Sequence, residues 1–146
     1  IEFPDYSYFK GIYLFPVEFI ENEIFRYIKF TGDFKMNNLE IVNDYEFQNS
    51  VFDGAFECPN LQEVGNEAFR NSVFNGNLNC PNLTSVGVNA FANSYFTQIT
   101  IGANATLGTN CIGTHSVEFI QDYAANGKLA GTYVWDSNTQ HWIYQG

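Results

Sequence analysis

Two histidines, His115 and His141, and three cysteines are the side chains of this chain best suited to acid–base, nucleophilic or metal chemistry. Neither histidine has a nucleophile at a recognised motif spacing, and the sequence contains no GxSxG, HExxH, Walker or GxGxxG motif. The 16 acidic residues do not follow the spacing of a calcium-binding EF-hand loop. We therefore expect a chain that is not an enzyme and that has no catalytic residue, no bound metal and no cofactor.

The cysteines Cys58, Cys80 and Cys111 are odd in number, which does not suit a disulfide framework. None lies in a CxxC pair or near a histidine at the spacing of zinc ligands. Cys58 and Cys80 occupy the same position of adjacent repeat units, where two Cα atoms can be close enough for a bridge. Their column also contains Met36 and Leu14, which favours packing over bonding. We predict that all three thiols are reduced and buried.

These residues belong to a sequence that repeats every 22 residues. The units VNDYEFQNSVFDGAFECPNLQE and VGNEAFRNSVFNGNLNCPNLTS start at Val42 and Val64, and the next unit, VGVNAFANSYFTQITIGANAT, starts at Val86. A weaker unit starts at Ile20. This period lies in the range of leucine-rich repeats and is too short for ankyrin, tetratricopeptide or HEAT units. A unit this small cannot bury its own apolar face, so we predict a solenoid of stacked coils.

Each unit divides into a strand and a helical turn. In Phe74 to Pro81, apolar residues alternate with asparagines, which predicts a half-buried strand. The stretch from Val64 to Ser72 fits one turn of α or 3₁₀ helix that faces inward. The sequence therefore predicts an α/β repeat solenoid in which the strands form one parallel sheet. The recurring Asn49, Asn71 and Asn93 fit a left-handed cap, and the recurring serines Ser50, Ser72 and Ser94 indicate turns.

Apolar columns of constant phase predict the core. The first inward ladder consists of Ile12, Phe34, Phe56, Leu78 and Ile99. Two aromatic columns accompany it, namely Phe3, Phe25, Phe47, Phe69, Phe91 and Ile112, and Tyr8, Phe30, Phe52, Phe74 and Phe96. Because they recur in every coil, we interpret them as packing residues and not as a ligand-binding stripe.

The outward strand positions vary in chemistry, and the exposed face of a solenoid sheet is a common binding surface. We predict that a ligand, if one binds, contacts this face. The candidate residues are Tyr13, Asp33, Lys35, Glu57, Asn77, Asn79, Gln98 and Thr100. Two alternatives remain at this point: any solvated face varies in the same way, and Lys35 and Glu57 can simply pair across adjacent strands.

Several segments resemble the BspA-like leucine-rich repeats. The hexads VGNEAF from Val64, VGVNAF from Val86 and LGTNCI from Leu107 are similar to the family pattern I-G-x-x-A-F, and FTQITIG from Phe96 resembles its strand. The tail AANGKLAGTY, followed by tryptophan, resembles a segment common behind such repeats. The 22-residue spacing and the glycine at position 102 depart from the commonest form. The resemblance implies a bacterial cell-surface or secreted protein with a role in adhesion, and it carries over no binding residues.

We predict a solenoid over 1–115 and a C-terminal cap over 116–146. The solenoid units are 1–19 (partial), 20–41, 42–63, 64–85, 86–106 and 107–115 (partial). At the front, Phe3 enters the repeat halfway through a unit, and aromatic residues crowd that end. Either further sequence precedes Ile1, or this face meets a partner. The absence of an initiator methionine and of a signal peptide indicates a mature or trimmed product.

The cap is predicted to consist of a helix and a hairpin. The helix covers Ser116 to Asn126 and ends at Gly127. Its inward residues are predicted to be Val117, Ile120, Tyr123 and Ala124. The hairpin covers Thr132 to Tyr144, with aromatic cross-strand pairs formed by Tyr133, Trp135, Trp142 and Tyr144. The alternative for the tail is a platform of exposed tryptophans that holds a small ligand.

Charge and hydropathy limit the partners. The net charge is −10, so few bases are available to neutralise phosphates, which disfavours nucleic acid and anionic membranes. No run of about 18 apolar residues predicts a membrane span. We expect a non-catalytic module that binds a protein or a glycan. The alternatives are a purely structural spacer within a larger surface protein and an accessory domain of an enzyme.

Overall fold

The computed structural model describes residues 26–146 and, before them, the backbone of Ser7–Phe9, Tyr13–Leu14 and Phe19–Ile20. The predictions that concern Phe3, Ile12 and Phe25, the crowded aromatic front and the side chains of Tyr8 and Tyr13 lie outside the described residues.

The described residues form a parallel β-solenoid with three sheets. Each described coil contributes one short strand to sheets B and C, whereas only the earlier coils contribute a strand to sheet A. Sheet A contains β1 (Ser7–Phe9), β4 (Ile28–Phe30) and β7 (Val51–Phe52). Sheet B contains β2 (Tyr13–Leu14), β5 (Phe34–Lys35), β8 (Phe56–Glu57), β10 (Asn77–Asn79), β12 (Gln98–Ile101), β14 (Gly131–Asp136) and β15 (His141–Tyr144). Sheet C contains β3 (Phe19–Ile20), β6 (Ile41–Val42), β9 (Glu63–Val64), β11 (Ser85–Val86) and β13 (Thr106–Leu107). One helix, α1 (Ser116–Ala125), follows the last coil.

The repeat period predicted from the sequence is confirmed, but the single sheet and the helical turn are not. In sheet C, Val42 pairs with Val64 and Val64 with Val86, so one coil takes 22 residues. The segment after Val64 contains turns where a helical turn was predicted. Its backbone has φ of 55° at Glu67 and 59° at Asn71. A right-handed helix cannot pass through residues of positive φ, so the chain bends at both points.

The predicted strand from Phe74 to Pro81 is divided by a corner. Val73 forms an isolated bridge to Val51 on the side of sheet A, and β10 begins only at Asn77. Between them Gly76 has φ of 103°, a conformation that glycine adopts without the strain of a side chain. The left-handed conformation expected at the recurring asparagines is confirmed, with φ between 56° and 64° at Asn49, Asn71 and Asn93.

The described members of the predicted core columns are buried. They are Phe34, Phe56, Leu78 and Ile99 in the first ladder, Phe47, Phe69, Phe91 and Ile112 in the second, and Phe30, Phe52, Phe74 and Phe96 in the third. Equivalent rings stack on one another: the centroids of Phe47 and Phe69 are 5.0 Å apart, and those of Phe69 and Phe91 are 4.9 Å apart. The interpretation of these columns as packing residues is therefore confirmed.

The prediction for the cysteines is also confirmed, because Cys58, Cys80 and Cys111 are free and buried. Desolvation raises the pKa of Cys80 and of Cys111 from the ordinary 9.0 to about 12. Burial is also the main reason that the pKa of Cys58 is raised, and the neighbouring Cys80 adds to it. These thiols therefore stay protonated in the folded state near neutral pH.

Buried hydroxyls connect successive coils at the turns. The Ser72 Oγ donates a hydrogen bond to the carbonyl of Phe47 (2.6 Å) and accepts one from the backbone N–H of Ser50 (3.2 Å). One coil later, Ser94 Oγ donates to the carbonyl of Ser72 (2.8 Å). The serine column thus satisfies backbone groups that the turns leave unpaired, as its recurrence predicted.

The register of β2 differs from the prediction by one residue. Counting back 22 residues placed Ile12 beside Phe34 and Tyr13 beside Lys35. The structure pairs Tyr13 with Phe34 and Leu14 with Lys35. β1 is displaced in the same way, because Phe9, and not Tyr8 as predicted, pairs with Phe30. In sheet C the spacing returns to 22, because Ile20 pairs with Val42. The connection after β2 is therefore one residue shorter than the connection after β5, which is why a constant period misplaced Tyr8 and Tyr13.

The helix and hairpin of the cap are present at the predicted places. Gly127 follows the helix with φ of 69°, and Trp135 pairs with Trp142 and Tyr133 with Tyr144 across the hairpin. The sequence did not show that β14 pairs antiparallel with β12 and so extends sheet B beyond the last coil.

The inward face of the helix was predicted correctly at Tyr123 and Ile120 but not at Val117 and Ala124. The structure buries Phe119 and Tyr123, whereas Val117 is 64% exposed and Ala124 is also exposed. Phe119 and Tyr123 lie one turn apart and share one side of the helix. The Tyr123 hydroxyl donates to the carbonyl of Gly102 (2.7 Å) and accepts from the N–H of Ala105 (2.9 Å). These bonds to the last coil orient the helix and leave Val117 in solvent.

Candidate functional site

The candidate surface is the outward face of sheet B, where side chains alternate with those of the core. Along β10, Asn77 and Asn79 are exposed and Leu78 between them is buried. Sequence reasoning placed the outward residues correctly from β5 to β12, because the register pairs Lys35 with Glu57 and brings the described candidates into two rows.

One row contains Lys35, Glu57, Asn79 and Thr100. The Nζ atom of Lys35 is 3.3 Å from Oε2 of Glu57, so the alternative that these two residues pair is confirmed. Both side chains are partly exposed, and such a pair stabilises the fold by only about 0–1 kcal/mol. The Thr100 hydroxyl is 2.8 Å from that of Thr132 on β14. Asn79 lies between these two contacts, and no group in the described residues bonds its amide.

The second row contains Asp33, Ala55, Asn77 and Gln98. The Oδ1 atom of Asp33 accepts a hydrogen bond from the N–H of Ala55 (3.0 Å), so this carboxylate connects two coils. Asn77 and Gln98 are neighbours on adjacent strands. Within the described part of the chain their side-chain amides have no protein partner. The two rows therefore offer three uncommitted amides at their centre, beside an ion pair and a carboxylate that are already engaged.

Tyr13 does not share the row of Lys35, because β2 pairs one residue out of the predicted register and places Leu14 there. The described candidate face therefore begins at Asp33 and Lys35. It continues onto the hairpin, where Val134 pairs with Gln98 and Ile143 with Val134. Sequence reasoning missed this extension. The alternation of the hairpin was visible, but nothing in it indicated which strand it would join.

Both tryptophans of the tail make contacts within the protein, Trp142 by burial and Trp135 by stacking on His115. Trp142 is only 3% exposed, and its Nε1–H donates to the carbonyl of His115 (3.2 Å). Trp135 is partly exposed, and its ring stacks on the imidazole of His115 with centroids 3.7 Å apart. The alternative of a platform of exposed tryptophans is therefore wrong for Trp142.

The second histidine connects the hairpin to the helix. Nδ1 of His141 is 3.0 Å from Oδ1 of Asp122, and Oδ2 of the same carboxylate accepts the N–H of Trp142 (2.7 Å). A histidine oriented by a carboxylate is one half of a nucleophile-activating arrangement. Here the carboxylate also accepts a hydrogen bond from the backbone of β15, so the pair connects the helix to the hairpin within the cap.

Among the residues that the structure describes, no three His, Cys, Asp or Glu side chains are grouped closely enough to hold a metal ion. In the same part of the chain, no helix has the length and apolar character needed to cross a bilayer. No protein-family model, no curated protein and no solved structure matches this chain.

Proposed function

We propose that this chain is a non-catalytic interaction module, a leucine-rich-repeat solenoid of the BspA-like type from a bacterial surface or secreted protein. In this proposal it binds a protein or a glycan through the outward face of sheet B. The contrast between the two sides of that sheet supports the proposal. The inward ladder repeats large apolar residues, whereas the outward rows change from an ion pair to amides and hydroxyls.

The chemistry of the face indicates the kind of partner. Asn77, Asn79 and Gln98 present unbonded amides, which donate and accept hydrogen bonds without charge. Such groups fit a peptide backbone or sugar hydroxyls. The net charge of −10 favours a neutral or basic partner and opposes the approach of nucleic-acid phosphates.

The second candidate is a structural spacer that carries other domains. It is favoured by the engaged groups on the same face. Asp33 bonds the backbone of Ala55, and Lys35 pairs with Glu57, so these polar side chains connect neighbouring coils. A spacer needs only such connections, whereas a binding module also needs the free amides to contact a partner.

The test is a screen of the protein against immobilised extracellular proteins and glycans, followed by a triple change of Lys35, Glu57 and Asn79 to Ala. A matched control changes Glu63, Ser85 and Thr106 on the outward face of sheet C. Surface changes of this kind alter stability by about 0.5 kcal/mol or less per residue. We expect the sheet B variant to lose binding and the sheet C variant to keep it. Equal binding by both variants would contradict the proposed site, and a screen without any partner would favour the spacer.

A further inference from the structure

The ladder of sheet A ends between the coil that contains Val73 and the coil that contains Tyr95, and a groove lies at this point. Val73 still bridges to Val51, but Tyr95, at the next equivalent position, has no strand partner. The two coils are bonded on either side of this point. Ser94 Oγ donates to the carbonyl of Ser72 (2.8 Å), and the N–H of Thr97 donates to the carbonyl of Gly76 (2.7 Å). Between these bonds, in a fully described part of the chain, residues 73–75 and 95–96 share no backbone hydrogen bond.

The coils separate at the surface while their cores remain in contact. The rings of Phe52 and Phe74 stack with an interplanar angle of 10°, whereas those of Phe74 and Phe96 are tilted by 42°. The centroids of the tilted pair are still only 5.2 Å apart. The resulting groove has a volume of about 480 Å³. That volume lies within the range of roughly 300–1,000 Å³ typical of ligand pockets.

The groove combines exposed apolar surface with uncharged polar groups. Val73 is 57% exposed and Tyr95 is 53% exposed, so more than half of the surface of each residue is accessible to a ligand. Its polar lining side chains are the buried Ser72, the hydroxyl of Tyr95, and Asn75, Asn93 and Thr97, and none of the lining residues is charged. In a chain with a net charge of −10, an uncharged concave surface selects against ionic ligands, which would lose water without gaining a counter-charge.

The side chains of Asn75, Asn93 and Thr97 each make one hydrogen bond and keep further donors or acceptors free. Oδ1 of Asn75 accepts from the N–H of Asn77 (3.3 Å), which leaves its amide N–H groups. Nδ2 of Asn93 donates to Asn71 (2.6 Å), which leaves its carbonyl oxygen. Thr97 Oγ1 donates to the carbonyl of Gly76 (3.3 Å), which leaves its lone pairs. The groove therefore offers both donors and acceptors, and a hydroxyl group can satisfy both at once.

We propose that this groove, the Tyr95 groove, binds a neutral oligosaccharide. The C–H face of a sugar ring packs on the exposed ring of Tyr95 beside Val73, and its hydroxyls bond the side chains of Asn75, Asn93 and Thr97. An inserted peptide strand does not fit, because it would require the coils to be about 9.6 Å apart, twice the strand spacing. The close contact of the core rings opposes that separation. The proposal does not depend on the outward face of sheet B.

The experiment is an array of neutral hexasaccharides of glucose, mannose, galactose and N-acetylglucosamine, printed beside sulfated and sialylated glycans and unrelated peptides. Any hexasaccharide that binds is then titrated by calorimetry against wild type and five variants. Tyr95→Ala removes the ring, Tyr95→Phe keeps it, and Val73→Glu places a charge in the groove. Tyr45→Ala is the matched control for an exposed tyrosine outside the groove, and Asn79→Ala tests sheet B. Unfolding midpoints report whether each variant is folded.

We expect at least one neutral hexasaccharide to bind. Tyr95→Ala and Val73→Glu should each weaken it by about tenfold or more, and Tyr95→Phe by about twofold or less. Tyr45→Ala and Asn79→Ala should leave the affinity unchanged. The proposal is overturned if no neutral hexasaccharide binds, if only charged glycans or peptides bind, or if both groove variants bind as wild type. If Asn79→Ala alone loses binding, the oligosaccharide binds to sheet B and not to the Tyr95 groove. Because Val73→Glu changes a largely exposed position, it provides the result if Tyr95→Ala does not fold.

Discussion

The repeat coils and the C-terminal cap bury similar aromatic rings in different geometries. In the coils, equivalent rings are nearly parallel, with interplanar angles of 3° for Phe47 and Phe69 and 1° for Phe69 and Phe91. In the cap, Phe119 meets Tyr133 at 81° and Trp142 at 83°. The coils are related by translation, so the rings of the Phe69 column reproduce one another's orientation, whereas the equivalent pair Phe74 and Phe96 at the groove is tilted by 42°. The cap ends this translation with antiparallel strands, and its rings meet in mixed geometries that also include the nearly parallel pair Phe119 and Tyr123 at 11°.

This difference implies two kinds of cooperativity. A coil has its stacking partners on both sides, so damage in one coil is transmitted along the column in both directions. The cap packs on the last coil, to which it is joined by the pairing of β14 with β12 and by the hydrogen bonds of Tyr123. We therefore expect changes in the coils to act over several units and changes in the cap to act locally.

The largest expected effect is that of Phe69→Ala in the middle of the stack. The ring is fully buried and stacks on rings of both adjacent coils, so its removal should lower the free energy of unfolding by about 3–5 kcal/mol. Chemical denaturation gives this value, and hydrogen exchange should show faster exchange around Phe47 and Phe91 as well. A midpoint equal to that of wild type would show that the column is not the core.

A smaller effect is expected from Tyr123→Phe in the cap. The change keeps the ring but removes the hydroxyl that bonds Gly102 and Ala105, which leaves a buried N–H unpaired. We expect a loss of about 1–3 kcal/mol. Hydrogen exchange should increase in the helix and the hairpin and stay unchanged near Phe47. Faster exchange throughout the coils would contradict the local character assigned to the cap.

The buried thiols predict that the free energy of unfolding falls at alkaline pH, by about 1 kcal/mol for each thiol at pH 10. Cys80 and Cys111 have a folded pKa near 12 against 9.0 when exposed, so at pH 10 they ionise only in the unfolded chain. Their contribution to the free energy of unfolding is complete below pH 9 and decreases as the pH rises toward 12. The loss at pH 10 is about 1 kcal/mol per thiol. The double variant Cys80→Ala, Cys111→Ala should lose less stability between pH 8 and pH 10 than wild type, and parallel pH profiles would contradict this expectation.

The smallest effect is expected at the ion pair on sheet B. Lys35→Ala removes a partly exposed contact of 3.3 Å with Glu57, so the free energy of unfolding should fall by less than about 1 kcal/mol. The loss should be smaller still in concentrated salt, which screens exposed charges. A salt-independent loss above that value would mean that Lys35 contributes to packing through its aliphatic chain and not through its charge.

The core could be predicted from the sequence because it depends on spacing. Phe34, Phe56 and Leu78 recur at a constant period, and alternation assigned them to the inside of a strand. The turns could not be predicted in the same way, because the choice between a helical turn and a bend depends on the sign of φ at residues such as Glu67, which residue type does not determine. The inward face of the helix was predicted only in part for a related reason, since bonds from Tyr123 to the last coil select the buried side and leave Val117 exposed.

The candidate face could be predicted as a set of outward positions but not as a set of available groups. Alternation identified Asp33, Asn77 and Asn79 as outward. Only the structure shows that Asp33 is engaged by the backbone of Ala55, whereas the two amides remain without a protein partner. The Tyr95 groove was not foreseen at all, because it arises where the ladder of sheet A ends. The apolar columns continue past that point, and the one-residue shortening of the coil there, which pairs Asn77 with Gln98, does not by itself indicate a groove.

The contact between Asp122 and β15 also bears on self-association. Because β15 is the last strand of sheet B, its outer edge would otherwise present unpaired backbone groups to the sheet of a second molecule. The carboxylate of Asp122 occupies the N–H of Trp142 on that edge and adds a negative charge beside it. Because this contact removes one free backbone donor from the edge and adds charge beside it, it makes pairing with the sheet of a second molecule less favourable.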